Sequence, residues 1–166
     1  SSRMAFLDEI KKHLENTKFF NSREQMKEIT IRDFTRNIVY NPKSNLYVNQ
    51  APLYPALAKT IEIIHRAGGI AFLAHLYEYS STIADSLEDI TDNYKLDGIE
   101  CYYTTFTEEQ HKRLLNLCKE RNLFVSGGSD FHGTIKPDVD IGVGYGNMQI
   151  PDEILNSWKN KIKFFK

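Results

Sequence analysis

Residues 126–133, which read SGGSDFHG, hold the side chains best suited to chemistry. Asp130 and His132 are one residue apart, so in an extended backbone both project to the same side. A carboxylate and an imidazole together suit Zn, Mn or Fe(II), and a carboxylate also binds Mg. The glycines of this segment allow a sharp turn and a close approach of backbone amides to an anion. The alternative is a glycine-rich loop in which Asp130 caps a turn and His132 is merely exposed.

His75 is a second candidate metal ligand, at the end of the apolar run AFLAH. A neutral imidazole binds a metal through one nitrogen and is oriented by an acceptor on the other. A histidine in this position can also be a core residue whose polar atoms the protein satisfies, and the residue types leave both interpretations open. The remaining histidines, His13, His65 and His111, are predicted to be structural or surface residues.

Further polar and aromatic residues are candidates for the surrounding cleft. Glu100, in DGIECYY, is a metal ligand, an acceptor for a ligating histidine or a buried acid paired elsewhere, and we favour the acceptor role. Tyr102, and with it Tyr103, lines the cleft unless it is a packing residue, as aromatic side chains at strand ends usually are. Ser129, beside Asp130 in the glycine-rich segment, is a further cleft candidate.

From residue 52 onward the sequence repeats a helix followed by an apolar strand. The predicted strands begin near residues 70, 98 and 123, so these starts are 28 and 25 residues apart, the period of βαβ units. Such units require a parallel sheet that helices cover. The sequence therefore predicts an α/β fold, with βα units over residues 52–150.

The residues suited to chemistry follow these predicted strands. His75 ends the first strand, Glu100 lies in the second, and Asp130 follows the third. In parallel α/β folds the catalytic groups project from the carboxyl ends of the strands. We therefore expect His75, Asp130 and His132 to meet at one rim of the sheet.

Both ends of the chain are predicted to be helical. Residues 1–50 read as helix and loop, and residues 151–166 as a C-terminal helix. Residues 1–166 are predicted to form a single domain, in which the first segment is a helical insertion or connector.

The composition is that of a soluble globular protein and disfavours several function classes. Hydrophobic residues make up 41% and charged residues 26%. The net charge is −1, so we expect no strong nucleic-acid patch and no attraction to a membrane. No apolar run approaches the ~20 residues that cross a bilayer, and the amino terminus does not resemble a signal peptide. Cys101 and Cys118 fit no CxxC spacing and suit a reducing cytoplasm, which is the predicted location.

The motifs GGIAFLAH, DGIECYY and SGGSDFHG, in this order and at these spacings, resemble the later motifs of the PHP (polymerase and histidinol phosphatase) superfamily. The resemblance covers about residues 23–150 and is nearest to the branch of small-nucleotide and RNA-trimming phosphoesterases. It implies a distorted (β/α)7 TIM-like barrel with two or three divalent metal ions (Mn, Zn, Fe or Mg) at the strand carboxyl ends. On the matching positions it implies metal ligands at His75, Asp130 and His132, with Asp130 and His132 also catalytic.

Two departures from the family pattern shape the expectation. The family domain opens with a strand that carries His-x-His, and no such pair occurs in this sequence. We therefore expect this chain to form the second half of the barrel, which is the carboxyl-terminal part of the domain. We expect it to be inactive alone and to self-associate through its open strand edges. The family also often places proline and a nearby arginine after the late histidine, whereas His75 is followed by Leu-Tyr-Glu-Tyr-Ser. Lys136 is the candidate to bind phosphate instead.

The predicted function is the metal-dependent hydrolysis of nucleotide or oligonucleotide phosphoesters by the full-length protein. A small phosphoester or nucleotide substrate is the expected partner, a choice that rests on the resemblance. Two alternatives stay open: a non-catalytic PHP-like domain used for interaction or regulation, and a histidinol-phosphate phosphatase.

Overall fold

The computed structural model describes residues 2–133, 136–145 and 148–162, and the chain divides into two compact units. The first unit ends at Tyr54 and the second begins at Pro55. The predicted change from helix and loop to βα units, between residues 50 and 52, falls close to this division. That residues 1–166 act as one domain stays a prediction.

The first unit consists of short helices around a small apolar core. Its helical segments are Ser2–Lys12 (α1), a 3₁₀-helix at Leu14–Phe19, Arg23–Glu28 (α2), Ile31–Phe34 (α3), a π-helical turn at Thr35–Val39 and a 3₁₀ turn at Ala51–Leu53. The side-chain oxygens of Ser22 and Thr30 cap α2 and α3, each accepting from a backbone N–H three residues further on. Phe34 is fully buried and packs with Leu7 and Ile38, which closes the core of this unit.

The second unit is a parallel sheet that helices cover. Its strands are Phe72–Leu73 (β1), Gly98–Tyr103 (β2) and Phe124–Gly128 (β3). Its helical segments are Leu57–Arg66 (α4), a 3₁₀ turn at Leu76–Glu78, Ser81–Asp85 (α5), Leu87–Asn93 (α6), Glu108–Arg121 (α7) and a 3₁₀-helix at Asp152–Ser157. Over the described residues the strand order is β1-β2-β3, and both pairings are parallel. The predicted α/β fold with a parallel sheet is confirmed, and its closure into a barrel stays a prediction.

The central strand β2 and helix α7 form the main core of the second unit. Ile99 and Cys101 on β2 are fully buried and pack with Leu114 and Cys118 on α7. Helix α7 begins at a capping box, in which Thr107 and Gln110 exchange side-chain to backbone hydrogen bonds. This packing fixes the direction of β2, and with it the edge of the sheet at which β2 ends.

The structure corrects the predicted C-terminal helix over residues 151–166, of which residues 163–166 lie outside the described part. Asp152–Ser157 form a 3₁₀-helix, in which the Ser157 hydroxyl donates to the Ile154 carbonyl. Trp158 then donates an indole hydrogen bond to the Val125 carbonyl at 2.9 Å and packs edge-on against Phe72, with ring centroids 5.2 Å apart. The segment is therefore held by the sheet and not by helix formation.

In the part of the chain that the structure describes, no helix has both the length and the apolar character needed to cross a membrane.

Candidate active site at the strand carboxyl ends

His75 occupies a strained turn directly after β1. Its backbone angles, φ 31° and ψ 54°, lie in the left-handed region that residues other than glycine rarely adopt. The imidazole packs against the rings of Tyr79 and Tyr103, with centroid distances of 5.3 and 5.6 Å. Its Nδ1 is buried and has no hydrogen-bond partner among the described residues. A buried nitrogen without a protein partner is an atom that a ligand can satisfy.

Glu100 holds the turn at His75 from the neighbouring strand. Its Oε2 accepts a hydrogen bond from the His75 backbone N–H at 2.6 Å. A Cβ atom at position 128 would lie 2.6 Å from Glu100 Oε1, so glycine at that position makes room for the carboxylate. Burial raises the pKa of Glu100, and the nearby Asp130 charge acts in the same direction, while the His75 N–H opposes both. Glu100 thus orients His75 through its backbone, and not through the imidazole ring as the sequence suggested.

Asp130 lies two residues after β3, also in the left-handed region, at φ 57°. A short polar side chain tolerates this conformation better than most. Its Oδ2 accepts a hydrogen bond from the Tyr103 hydroxyl at 2.9 Å and forms an ion pair with Lys136. Burial alone would raise the pKa of Asp130, but the bonds from Lys136 and Tyr103 outweigh it and lower the pKa. The carboxylate is therefore ionised at neutral pH.

Tyr103 connects the two strained turns. Burial, and then the hydrogen bond to the Asp130 carboxylate, raise the pKa of its phenol, so the hydroxyl stays a donor at neutral pH. Its ring contacts His75 and its hydroxyl binds Asp130, and it therefore bridges the ends of β1 and β3.

His132 lies beside Asp130 and is open to solvent, with 53% of its side chain exposed. Its Nδ1 is 2.7 Å from the Asp130 carbonyl oxygen and 3.4 Å from Asp130 Oδ1. Because a carbonyl oxygen only accepts, the Nδ1–H of His132 donates in this contact. His132 is thus held by its own loop, and Nε2 is the ring nitrogen that this contact leaves available.

Through Tyr103 the structure links the His75 turn to Asp130, and the convergence of His75, Asp130 and His132 on one metal site stays a prediction. Their donor types suit a divalent metal: an unpartnered imidazole nitrogen, an ionised carboxylate and a second free imidazole nitrogen. Within residues 2–133, 136–145 and 148–162, however, no three His, Cys, Asp or Glu side chains lie close enough together to hold an ion. That these residues bind a metal together stays a prediction.

The other predicted cleft residues differ in their positions. Lys136 lies in the site, through its ion pair with Asp130. Ser129 is buried, and its hydroxyl accepts a hydrogen bond from the Gly142 N–H at 3.2 Å, so it anchors a loop and does not line a cleft. Tyr102 packs with the ring of His111 at 5.7 Å, outside this contact network.

Of the two tyrosines predicted for the cleft, Tyr103 contacts His75 and Asp130, whereas Tyr102 packs on His111. Between Glu100 and Tyr102 the strand β2 contains one residue more than its partner β3. A bulge of this kind interrupts the alternation of side chains, so counting by two from Glu100 does not reach the correct tyrosine. The sequence shows two adjacent tyrosines, but it does not show the bulge that decides which of them reaches Asp130.

His65 and His111 have structural contacts. His65 Nε2 lies 2.7 Å from Asp97 Oδ2, and that oxygen also accepts the Ala71 backbone N–H at 2.6 Å. His111 is half-buried, and its Nε2 approaches the Tyr103 carbonyl at 3.4 Å, which agrees with a structural role. Both contacts join helices to the sheet.

A comparison with solved structures connects this site to a reaction class. A protein of Bifidobacterium adolescentis, provisionally assigned as a metal-dependent phosphoesterase, matches with a TM-score of 0.57 and 26% sequence identity. The match covers 80% of this chain and 44% of that chain. It confirms the resemblance to metal-dependent phosphoesterases over this part of the fold.

A comparison with curated proteins adds a relative named for its action on RNA. The 5′-3′ exoribonuclease of Haemophilus influenzae is 34% identical over 102 residues, which is 60% of this chain and 35% of the exoribonuclease. The chain therefore spans less than half the length of each of these two proteins. No protein-family profile matches the sequence.

Proposed function

We propose that this chain supplies one side of the active site of a metal-dependent phosphoesterase that hydrolyses nucleotide or oligonucleotide phosphoesters. The observation that carries the proposal is the meeting of His75, Tyr103 and Asp130 at the carboxyl ends of three adjacent parallel strands. The phosphoesterase from B. adolescentis supports the reaction class. The exoribonuclease from H. influenzae supports a nucleic-acid substrate.

Three side chains are suited to hold divalent ions in this proposal: His75 through Nδ1, Asp130 through its carboxylate and His132 through Nε2. Mixed oxygen and nitrogen ligands suit Mn, Zn or Fe, and Mg where oxygen dominates. Bound ions of this kind lower the pKa of a water molecule and neutralise charge on phosphoryl oxygens. We propose that further ligands, for two or three ions in all, lie elsewhere in the full-length protein.

The surrounding residues position these groups. Glu100 fixes the His75 turn, and Tyr103 orients the Asp130 carboxylate, which is how outer partners commonly prepare metal ligands. Lys136 lies next to Asp130, so its ammonium group is placed to bind a phosphate oxygen at this rim. As the alternative to binding an ion, the exposed His132 imidazole can exchange a proton with the leaving oxygen.

The test is turnover by the full-length protein with mononucleotides and 5′-phosphorylated oligoribonucleotides. Activity is expected only with Mn, Zn, Fe(II) or Mg, and a chelator should abolish it reversibly. Asp130→Asn should lower turnover by at least roughly 100-fold, because even the hydrogen-bond partners of metal ligands typically contribute ~10–100-fold to metal affinity or activity. Asparagine tolerates the left-handed backbone, so folding should persist. Asp138→Asn, an exposed residue of the same loop, is the matched control. Activity that resists chelation, or a fully active Asp130→Asn protein, contradicts the proposal.

A non-catalytic domain for interaction or regulation is the second candidate function. The ion pair between Lys136 and Asp130 favours it, because an ammonium group beside the carboxylate competes with a metal ion. The same assay separates the two functions: a full-length protein that is folded but inactive with all four metals supports the second candidate.

We also propose that this chain alone is catalytically silent, binds metal weakly and self-associates. Over the described residues β1 and β3 each pair with a strand on one side only, and unpaired edges favour association. Light scattering should show more than a monomer, and calorimetric titration with Mn and Zn should show weak binding. A monomer that binds either metal tightly contradicts this proposal.

A further inference from the structure

Positive charge is concentrated in the first unit. Residues 1–54 contain 9 Lys and Arg against 6 Asp and Glu, a balance of +3. Residues 55–166 contain 12 against 16, a balance of −4, and the two together give the net charge of −1. The nearly neutral total therefore conceals a basic segment. A positive balance favours an anionic partner for this unit over a cationic one.

A polar cavity of about 380 Å³ lies within this first unit, between the 3₁₀-helix Leu14–Phe19 and the loop after the π-helical turn. Lys18 and Lys43 line it, together with Phe19 and several side-chain amides. None of the described lining residues is a carboxylate. The charge of the described lining therefore favours an anionic ligand over a cationic one.

Two of the amide side chains that line the cavity form hydrogen bonds that fix its backbone. Gln25 Oε1 accepts the Asn21 backbone N–H at 2.7 Å. Asn41 donates its side-chain N–H to the Asn37 carbonyl at 3.1 Å and accepts the Lys43 backbone N–H at 3.0 Å. These bonds fix the backbone on both sides of the cavity, so the cavity does not depend on a ligand for its shape.

The remaining amides are available to a ligand. The side chains of Asn21, Asn37 and Asn45 are exposed and form no hydrogen bond with any residue that the structure describes. Each amide offers both a donor and an acceptor, the combination that binds the edge of a nucleobase.

The two lysines and the aromatic ring complete a nucleotide-binding set. Lys18 Nζ lies 5.1 Å from the centroid of the Phe19 ring, and Lys43 is exposed. Neither lysine forms an ion pair with a described residue. Unpaired ammonium groups beside an aromatic ring and free amides match the chemistry of single-stranded nucleic-acid sites, where cations follow the backbone and rings stack with bases.

We propose that this cavity binds a segment of single-stranded nucleic acid, and so serves as a substrate-holding site for the phosphoesterase. An acidic peptide would also satisfy the lysines, but it would leave the amides and the ring without a base to contact. The inference rests on the proposed function for its biological role. Its test measures binding and not turnover, so the two proposals can fail separately.

The experiment is a fluorescence anisotropy titration of this 166-residue chain with a 5′-fluorescein-labelled single-stranded RNA of about 12 nucleotides, a length within the range of such sites. The Lys18→Ala/Lys43→Ala protein should bind at least roughly tenfold more weakly. The slope of log affinity against log salt should fall by about 1.4, since each phosphate contact on a single strand contributes about 0.7. Asn37→Ala should weaken binding without changing this slope, because an amide carries no charge.

The matched control is Lys12→Ala/Lys27→Ala, which removes the same charge from the same unit outside the cavity. It should bind RNA almost as well as the unchanged chain, and circular dichroism should show that all variants are folded. Equal losses in the two double variants would mean that diffuse charge, and not the cavity, attracts the RNA. Equally effective displacement of the RNA by poly-glutamate, or no binding at low salt, would also overturn the proposal.

Discussion

The backbone N–H of His75 donates a hydrogen bond to Glu100 Oε2 at 2.6 Å, and this contact joins a left-handed turn after β1 to the central strand. Glu100→Ala should lower the free energy of unfolding by roughly 1.5–3 kcal/mol, because it leaves a partly buried N–H without an acceptor. Glu100→Gln keeps an acceptor oxygen, and should cost less than about 1 kcal/mol. Urea unfolding followed by the fluorescence of Trp158, the single tryptophan, measures both. Equal losses for Ala and Gln would show that the hydrogen bond is unimportant.

Removal of the Tyr103 hydroxyl should weaken the metal response of the full-length protein. Tyr103→Phe deletes the donor to Asp130 Oδ2 and keeps the ring that packs on His75. Loss of such a partner typically costs ~10–100-fold in metal affinity or activity. The measurement is the Mn concentration that gives half-maximal turnover, which a merely structural role would not move. Tyr102→Phe is the control, since the Tyr102 hydroxyl forms no hydrogen bond with a described residue. An unchanged Mn requirement in Tyr103→Phe would contradict the prediction.

Alanine at position 128 should disturb the site through Glu100. The new Cβ would lie 2.6 Å from Glu100 Oε1, so the carboxylate must shift and lose its hydrogen bond to the His75 N–H, and Gly128→Ala should destabilise the fold by roughly 1–3 kcal/mol. The same substitution in a Glu100→Ala background should cost much less, because the obstructing carboxylate is gone. Urea unfolding of the four proteins tests this coupling. Additive losses would place the cost elsewhere in the strand.

The sheet and its rim were predictable from sequence because they depend on local patterns. Predicted strand starts near 70, 98 and 123 correspond to observed starts at Phe72, Gly98 and Phe124. Parallel strands place their carboxyl ends at one edge, so the placement of His75 after β1 and of Asp130 after β3 followed from topology alone.

The rest of the site depends on contacts that no local pattern records. The bulge in β2 decides that Tyr103 and not Tyr102 reaches Asp130. The ion pair of Lys136 with Asp130 depends on how the loop between them folds. Trp158 lies against the sheet, where the Val125 carbonyl accepts its indole N–H.

Cys101 and Cys118 should react slowly with thiol reagents in the native protein. Their Sγ atoms lie 3.5 Å apart between β2 and α7, and both residues are buried. Burial keeps the reagent from both sulfurs, and the hydrogen bond that the Cys101 thiol donates to Cys118, together with burial, raises the pKa of Cys101. Ellman's reagent at about pH 8 should therefore modify both thiols only in urea. The exposed Ser81→Cys thiol is the positive control, and rapid modification of two native thiols would contradict the prediction.

The contact between Glu88 and Arg113 should stabilise the second unit at neutral pH and lose its effect in acid. Arg113 Nη2 donates to both carboxylate oxygens of Glu88, at 3.0 and 3.1 Å, and so ties α6 to α7. This bond lowers the pKa of Glu88. For a lowered carboxylate pKa, the stabilisation is present above the ordinary glutamate value and is lost as the pH falls through the folded-state value.

The size of this effect is limited by solvent, because the side chains of Glu88 and Arg113 are 47% and 41% exposed. A double-mutant cycle with Glu88→Ala and Arg113→Ala should give a coupling of about 0.2–1 kcal/mol at neutral pH. The coupling should approach zero near about pH 2 and should also weaken in about 1 M NaCl. A coupling that persists in acid would mean that the side chains interact by packing, since protonation of Glu88 removes its charge but leaves its methylene groups in place.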